Sequence, residues 1–314
     1  MFRNVRRDLF VPFSRFVLLL CALALSVCGS SVEEDPAESL ESTAGDIAEL
    51  ADEPTFAVVN GARLFYEMSG EGSSLVLISG ANLDSRIWDD QFGVFAEDFQ
   101  TVRYDPRGIG RSDLPEEPFS HYEDLRGLLD SLRIETAHVL GFSFGAGVAL
   151  DFALAYPERV ESLILVAPGL SSWKDELTPV LAELSVQAAD EGRAKAIDVL
   201  LSDPSMPSAE NTEARERIRS ILEDSPRLFD SGFAYLQMMQ PLEPPAEERL
   251  EEIGVPTLLI VGERDHPGIH ENVDALQQGI EGARKVLIMG VGHVVSLEHP
   301  QELRRIVLDF LRAD

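Results

Sequence analysis

"HVLGFSFGAGVALDFALAYP", residues 138–157, decides how this chain folds. A short apolar run ends at Gly141, Ser143 stands between Gly141 and Gly145, and an alanine-rich helical pattern follows. A buried strand that passes this abruptly into a helix needs a sharp turn. Such a turn crowds the backbone, and a glycine on either side removes the clash with neighbouring elements. The serine hydroxyl is then presented at the carboxyl end of a sheet. The following helix points its N-terminus at the same place, where free N–H groups and the positive dipole end favour a developing negative charge. The bland reading is a tight strand–helix turn with an incidental serine, and the rest of the chain has to decide between them.

Outward from this stretch, the chain alternates short apolar runs with helical patterns. "TFAVVN" and "ARLFYEM" read as a hairpin about Asn60-Gly61, a pair suited to the positive φ angles of a two-residue turn. "SLVLIS" (74–79), "TVRYD" (101–105), "AHVLG" (137–141), "SLILVAP" (162–168), "TLLIVG" (257–262) and "KVLIMG" (285–290) read as buried strands. "HYEDLRGLLDSL", the opening stretch and "PQELRRIVLDFLRA" supply helices between and after them. This alternation predicts a mostly parallel, eight-stranded sheet with helices on both faces. The rhythm breaks between Gly169 and about Glu252. That interval offers only helical stretches such as "KDELTPVLAELSVQAAD" and "AENTEARERIRSILED". Residues 55–168 and 253–314 are therefore expected to form an α/β core, with residues 169–252 as a helical cap.

The N-terminus has a different texture. Arg3, Arg6, Arg7 and Arg15 precede the apolar run "FVLLLCALALSV", which is too short to span a bilayer comfortably. Residues 1–30 read as an export signal. "RRDLF" weakly resembles a twin-arginine signal, and "LSVCGSS" resembles a bacterial lipobox with Cys28 as the lipidated residue, departing from it at Val27. Cleavage near Ser30 and an uncleaved anchor are the alternatives. The expected location is outside the cytoplasm, either tethered to a membrane through Cys28 or free. Residues 31–54 are acidic and poor in large apolar side chains, as a solvated linker is. Both cysteines, Cys21 and Cys28, lie in the signal region, so the mature chain has neither a disulfide nor a thiolate nucleophile.

The formal net charge is −29, which argues against nucleic acid and anionic lipid as partners. No P-loop, dinucleotide fingerprint or metal-ligand cluster is evident in the pattern, so no cofactor and no metal are expected. Oligomeric state is not legible.

Serine is a weak nucleophile until a base takes its proton, and that base needs an orienting carboxylate. His293, in "IMGVGHVVSLEHP", follows the last strand and precedes the last helix, at the same sheet edge as Ser143. His138 precedes the serine strand and belongs at the opposite end. His299 reads as a capping position, His121 as part of a surface helix, and His266 and His270 as residues of the loop after the seventh strand. Asp265, in "LLIVGERD", lies just past a strand end within reach of His293, with Glu263 as the runner-up.

This order of Ser, Asp and His, each after a strand, resembles the α/β-hydrolase fold superfamily over about residues 64–313. "YDPRGIGRSD" matches the family's D-x-R-G-x-G-x-S signature, "GFSFGAG" its nucleophile elbow, and "VPTLLIVGERD" and "GVGHVVSLEHPQE" its acid and base segments. The resemblance implies Ser143 as nucleophile, Asp265 as acid and His293 as base. It implies an oxyanion hole from the backbone N–H groups of Phe144 and Ala81. Ser79-Gly80 stands here where relatives commonly carry His-Gly. Asp105 and Arg107 are expected to hold loops together. Asn82, Trp173, Phe233 and Met238 are candidates to line a substrate pocket. The expected activity is hydrolysis of a small carboxylic ester or lactone through an acyl-enzyme. A carbon–carbon bond hydrolase, a perhydrolase and a non-catalytic hydrolase-fold binding protein are the alternatives.

Overall fold

The computed structural model describes residues 54–170, 191–225 and 238–313. The expectations for residues 1–53, among them the lipidation candidate Cys28, and for Trp173 and Phe233 fall outside the described residues.

Eight strands form one sheet: β1 (Phe56–Val59), β2 (Ala62–Ser69), β3 (Ser74–Ile78), β4 (Gln100–Tyr104), β5 (Ala137–Phe142), β6 (Val160–Val166), β7 (Thr257–Gly262) and β8 (Arg284–Ile288). Their spatial order is β1-β2-β4-β3-β5-β6-β7-β8. β2 pairs antiparallel with β1 and β4, and every other pairing is parallel. The β1–β2 turn is the expected one, with Asn60 at φ 47° and Gly61 at φ 80°.

The described helices are α1 (Asp89–Phe95), α2 (His121–Leu132), α3 (Phe144–Ala155), α4 (Arg193–Leu201), α5 (Thr212–Asp224), α6 (Pro267–Gly279), α7 (Val295–Glu298) and α8 (Pro300–Leu311). Alternation within the central strands feeds both faces of the sheet. Val76 and Ile78 of β3 join Leu128 of α2, Val148 of α3 and Leu276 of α6 on one side. Leu75 and Leu77 join Phe95 of α1 and Leu303 and Val307 of α8 on the other. α3 is buried from Phe144 to Leu154, as its apolar, alanine-rich sequence requires of a helix pressed on the sheet.

α6 corrects one expectation, since His270 lies within this helix rather than in a loop. Pro267-Gly268 reads as a turn, yet proline suits the first position of a helix. His266 caps it, its Nδ1 accepting the Gly268 N–H at 3.2 Å. Ile269, Val273 and Leu276 then turn inward with helical spacing. Between β6 and β7 the described residues form α4 and α5 and two short 3₁₀ turns, Ala246–Glu248 and Leu250–Glu252. Phe119 bridges Met239 there, and the Met238 carbonyl accepts the Phe119 N–H at 3.0 Å.

Candidate active site

Ser143 sits at the junction of β5 and α3 with φ 53° and ψ −115°, a backbone conformation that L-residues rarely adopt. The Ser143 N–H donates to the Val166 carbonyl at 2.8 Å, which ties the turn to β6. A Cβ on Gly141 would lie 2.2 Å from the Gly145 carbonyl oxygen, and one on Gly145 would lie 2.4 Å from that of Ser79. Both flanking glycines are therefore steric necessities. Strain of this kind costs about 1–3 kcal/mol and persists only where surrounding packing over-determines it; here β5, β6 and α3, buried from Phe144 to Leu154, do so.

Asp265 stands just past the far end of β7. Gly262 ends that strand, and a Cβ there would lie 2.2 Å from the Gly292 carbonyl oxygen. The missing side chain allows the loop that carries His293 to press against the loop that carries Asp265. The Asp265 side chain is fully shielded from solvent. One of its oxygens accepts the His266 N–H at 2.7 Å.

His293 joins the two. Its Nδ1 lies 2.9 and 3.1 Å from the two Asp265 carboxylate oxygens, and its Nε2 lies 3.0 Å from Ser143 Oγ. An ionised carboxylate only accepts, so Nδ1 carries the proton and donates to Asp265. Nε2 is left with its lone pair facing Ser143 and accepts the hydroxyl proton. Burial works against a charged imidazole here. The Asp265 charge and hydrogen bond, with Glu298 and Asp203 behind it, outweigh that penalty and raise the His293 pKa above its ordinary value. Three side chains chosen from sequence positions 143, 265 and 293 thus meet in one hydrogen-bonded chain.

The loop after β3 runs beside them. A Cβ on Gly80 would lie 3.3 Å from that of Ser143 and 2.8 Å from the Phe142 ring. This closeness sets the loop against Ser143, and Asn82 turns the chain through the left-handed region at φ 67°. Asp105 secures the loop, one oxygen accepting the Ser85 N–H at 2.8 Å and the other the Arg111 N–H at 2.9 Å. Burial pushes the Asp105 pKa up to about 6, helped by nearby Asp84 and opposed by these hydrogen bonds. Arg107 pairs with Asp124 through two 2.7 Å contacts and also reaches the Val59 and Asn60 carbonyls.

Other candidates stand apart. The Glu263 carboxylate accepts the Gly290 N–H and has no contact with His293. His138 is at the start of β5, against Ser162 and Glu161, and His299 is exposed at the head of α8. Met238 is half-buried and placed by its main-chain bond to Phe119. His121 is a correction, since it is buried rather than on the surface. Its ring packs edge-on against Phe119 and against Phe144, the residue after the serine. Burial and nearby Arg107 drive its pKa down to about 3, so the ring is neutral.

Glu298 was not singled out from sequence. Its side chain is almost wholly buried, and both its oxygens accept the Gly292 N–H, at 3.0 and 3.1 Å. Arg264, next to Asp265, pairs with it at 3.2 Å. The sequence signal was an acid inside the apolar run "HVVSLEHP", where a solvated carboxylate would be out of place.

Residues 75–306 match the model of the alpha/beta hydrolase family. The chain is 26% identical over 263 residues to 2-hydroxy-6-oxo-6-phenylhexa-2,4-dienoate hydrolase of Comamonas testosteroni, covering 79% of this chain and 91% of that one. It is 26% identical over 254 residues to carboxylesterase YbfK of Bacillus subtilis strain 168, covering 77% and 81%. Among solved structures, the enol-lactonase from Burkholderia xenovorans LB400 superposes with a TM-score of 0.70 at 26% identity, over 82% of this chain and all of that one.

Proposed function

Because this chain belongs to the alpha/beta hydrolase family, we propose that it hydrolyses a small carboxylic ester or lactone with Ser143 as nucleophile, His293 as base and Asp265 as acid. The observation that carries the reading is the unbroken line from Ser143 Oγ through His293 to Asp265, with contacts of 3.0 and 2.9 Å. The esterase and lactonase among its relatives support the substrate class.

In the reaction, Ser143 Oγ adds to the carbonyl carbon while its proton passes to His293 Nε2. The carbonyl electron pair moves onto oxygen, where the Phe144 and Ala81 N–H groups receive it. Each such donor is worth about 3 kcal/mol of barrier. Collapse of the adduct expels the alcohol oxygen, which takes the proton from Nε2 and leaves an acyl-serine. Water then attacks with His293 as base, and the serine oxygen leaves with the returned proton. Asp265 holds the imidazole in the required tautomer and stabilises its cation throughout. No cofactor or metal enters the scheme.

Labelling the full chain with a fluorophosphonate probe, followed by peptide mapping, tests the assignment. Modification at Ser143, lost in S143A, is expected; a chain that stays unlabelled would make it a scaffold of the same fold. A panel of p-nitrophenyl esters and lactones then tests the substrate class. The dienoate hydrolase relative favours a second reading, cleavage of a carbon–carbon bond beside a ketone by the same three residues. Turnover of a 2-hydroxy-6-oxo-dienoate in preference to every ester in the panel would select it.

Residues 169–252 are proposed to roof this site as a cap. The N-terminal segment is proposed to export the chain, with Cys28 as a lipid anchor. Mass spectrometry of the mature N-terminus distinguishes a diacylglyceryl-Cys28 from cleavage near Ser30.

A further inference from the structure

Residues 203–207, "DPSMP", lie between α4 and α5 in the insertion, remote in sequence from both the acid and the base. Their main chain nevertheless touches the base directly. The His293 N–H donates to the Ser205 carbonyl at 2.7 Å. The approach is close enough that a Cβ on Gly292 would lie 2.1 Å from that same oxygen. Gly292 therefore belongs to a designed contact between two loops and not to a loose connection.

The segment is itself held firmly. The Asp203 carboxylate accepts the Ser205 N–H at 2.8 Å and also the Ser205 hydroxyl, and the Met206 N–H returns to the Asp203 carbonyl at 3.0 Å. Arg215 of α5 donates to the Leu201 and Pro207 carbonyls, both at 2.8 Å, which closes the connection between α4 and α5. α5 in turn is fastened to the core by Arg217 on Asp90 and by Asp224 on Arg86.

We propose that residues 203–207 are a positioning element for His293, so that the insertion as well as the sheet sets where the base stands. Asp203 is the positioning residue: it shapes the turn that offers the Ser205 carbonyl and adds its own negative charge on the insertion side of the imidazole. The charged and polar groups around that ring are then Asp265 from the loop after β7, Glu298 of α7 with its partner Arg264, Asp203 from the insertion, and the Ser143 hydroxyl. Placement of a base within an ångström governs rate, and misplacement on that scale costs about a hundredfold. A main-chain pin from the insertion supplies such control without touching substrate.

The inference rests on His293 being the base, and the test separates the two. The full chain, its D203A, D203N and G292A variants, and H293N for assignment are labelled with [13C]histidine. The His293 ring is titrated by NMR, and p-nitrophenyl acetate turnover is measured across pH. D203A is expected to lose between about ten- and a hundredfold in kcat with little change in KM. D203N keeps an oxygen that accepts both Ser205 donors, so it should recover most of that loss. It should also move the His293 titration, and the acid limb of kcat/KM, down by roughly 0.3–0.5 pH unit, the effect of one exposed charge several ångströms away. G292A, which forces the loops apart, should resemble D203A while unfolding as a single cooperative unit. Wild-type kcat in D203A with an unmoved His293 titration overturns the inference. A wild-type chain that neither labels at Ser143 nor turns over any ester overturns the hydrolase reading instead, and the NMR titrations of D203N and G292A still decide the positioning of the imidazole.

Discussion

Ser143 and His293, proposed as nucleophile and base, stand 3.0 Å apart, yet different physics holds each of them. Ser143 is held by shape. Its surroundings are backbone, two glycines without room for a methyl group, and a helix buried along its whole inner length. His293 is held by charge and by hydrogen bonds from several directions, with Asp265, Glu298 and Asp203 all favouring its protonated form. The contrast follows from what each does. A nucleophile needs a fixed trajectory, which close packing supplies. A base must gain and lose a proton at a suitable pH, which only a tuned electrostatic setting supplies.

Exchanging the hydroxyl itself has the largest expected effect. S143A should lower kcat by at least about a thousandfold on any substrate that wild type turns over. Its urea midpoint should match wild type, because the strained backbone is held by the neighbours and not by Oγ. Retained turnover would break the comparison at its first term, since the site of nucleophilic attack would lie elsewhere.

Next in size is the steric side. G141A places a methyl 2.2 Å from a main-chain oxygen that no rotamer change can move. Overpacking in such a place costs about 3 kcal/mol or more, and urea unfolding should show it. If G141A is as stable as wild type, shape is not what holds the elbow. The same substitution explains why this region was legible in the sequence. The requirement for glycine is local, so two glycines about a serine between a strand and a helix already state it. The central strands β3, β5, β6 and β7 were legible for a related reason, since a strand buried on both faces reads as an unbroken apolar run. α6 hid behind its opening Pro-Gly.

The base side was legible only in outline. Asp265 and His293 follow strands, so topology alone brings them to one edge. Glu298 stands in an apolar stretch that signals burial, but its partners, the Gly292 N–H and Arg264, come from other segments. Asp203 lies far from either in sequence. His121 opens an amphipathic helix beside Glu123 and Asp124, and its burial depends on Phe144 arriving from the start of α3 as well as on neighbouring Phe119. Charges assembled from separate segments leave no spacing to read.

E298Q sharpens this side. A glutamine oxygen can still accept the Gly292 N–H, so the loop keeps its shape while the charge is lost. His293 must be neutral to act, so kcat/KM should rise with pH through its raised pKa. Without the Glu298 charge that rise should move to lower pH, by up to about one unit. The pH dependence of kcat/KM checks the sign; an unmoved limb would mean that Glu298 acts through shape alone, and the two halves of the site would no longer differ.

Asp105 lies between the two regimes, and its effect is expected on stability rather than on rate. It holds the loop beside Ser143 by hydrogen bonds, as a shape-holding group does, but it is a carboxylate buried at a cost. Its pKa in the folded chain is about 6, above the ordinary carboxylate value. The folded state therefore holds this proton more tightly than the unfolded chain does. Stability drawn from the protonated form is lost as pH rises from the ordinary carboxylate range through 6. D105N stays neutral throughout and keeps one of the two acceptors. The difference in unfolding free energy between D105N and wild type should shift in favour of D105N between pH 5 and pH 7.5, by roughly 1–2 kcal/mol. Subtracting one chain from the other cancels the remaining carboxylates, so the slope belongs to Asp105. A flat difference would mean that the Ser85 and Arg111 N–H groups compensate the buried charge fully. Asp105 would then belong with the elbow, held by fit, and not with the base.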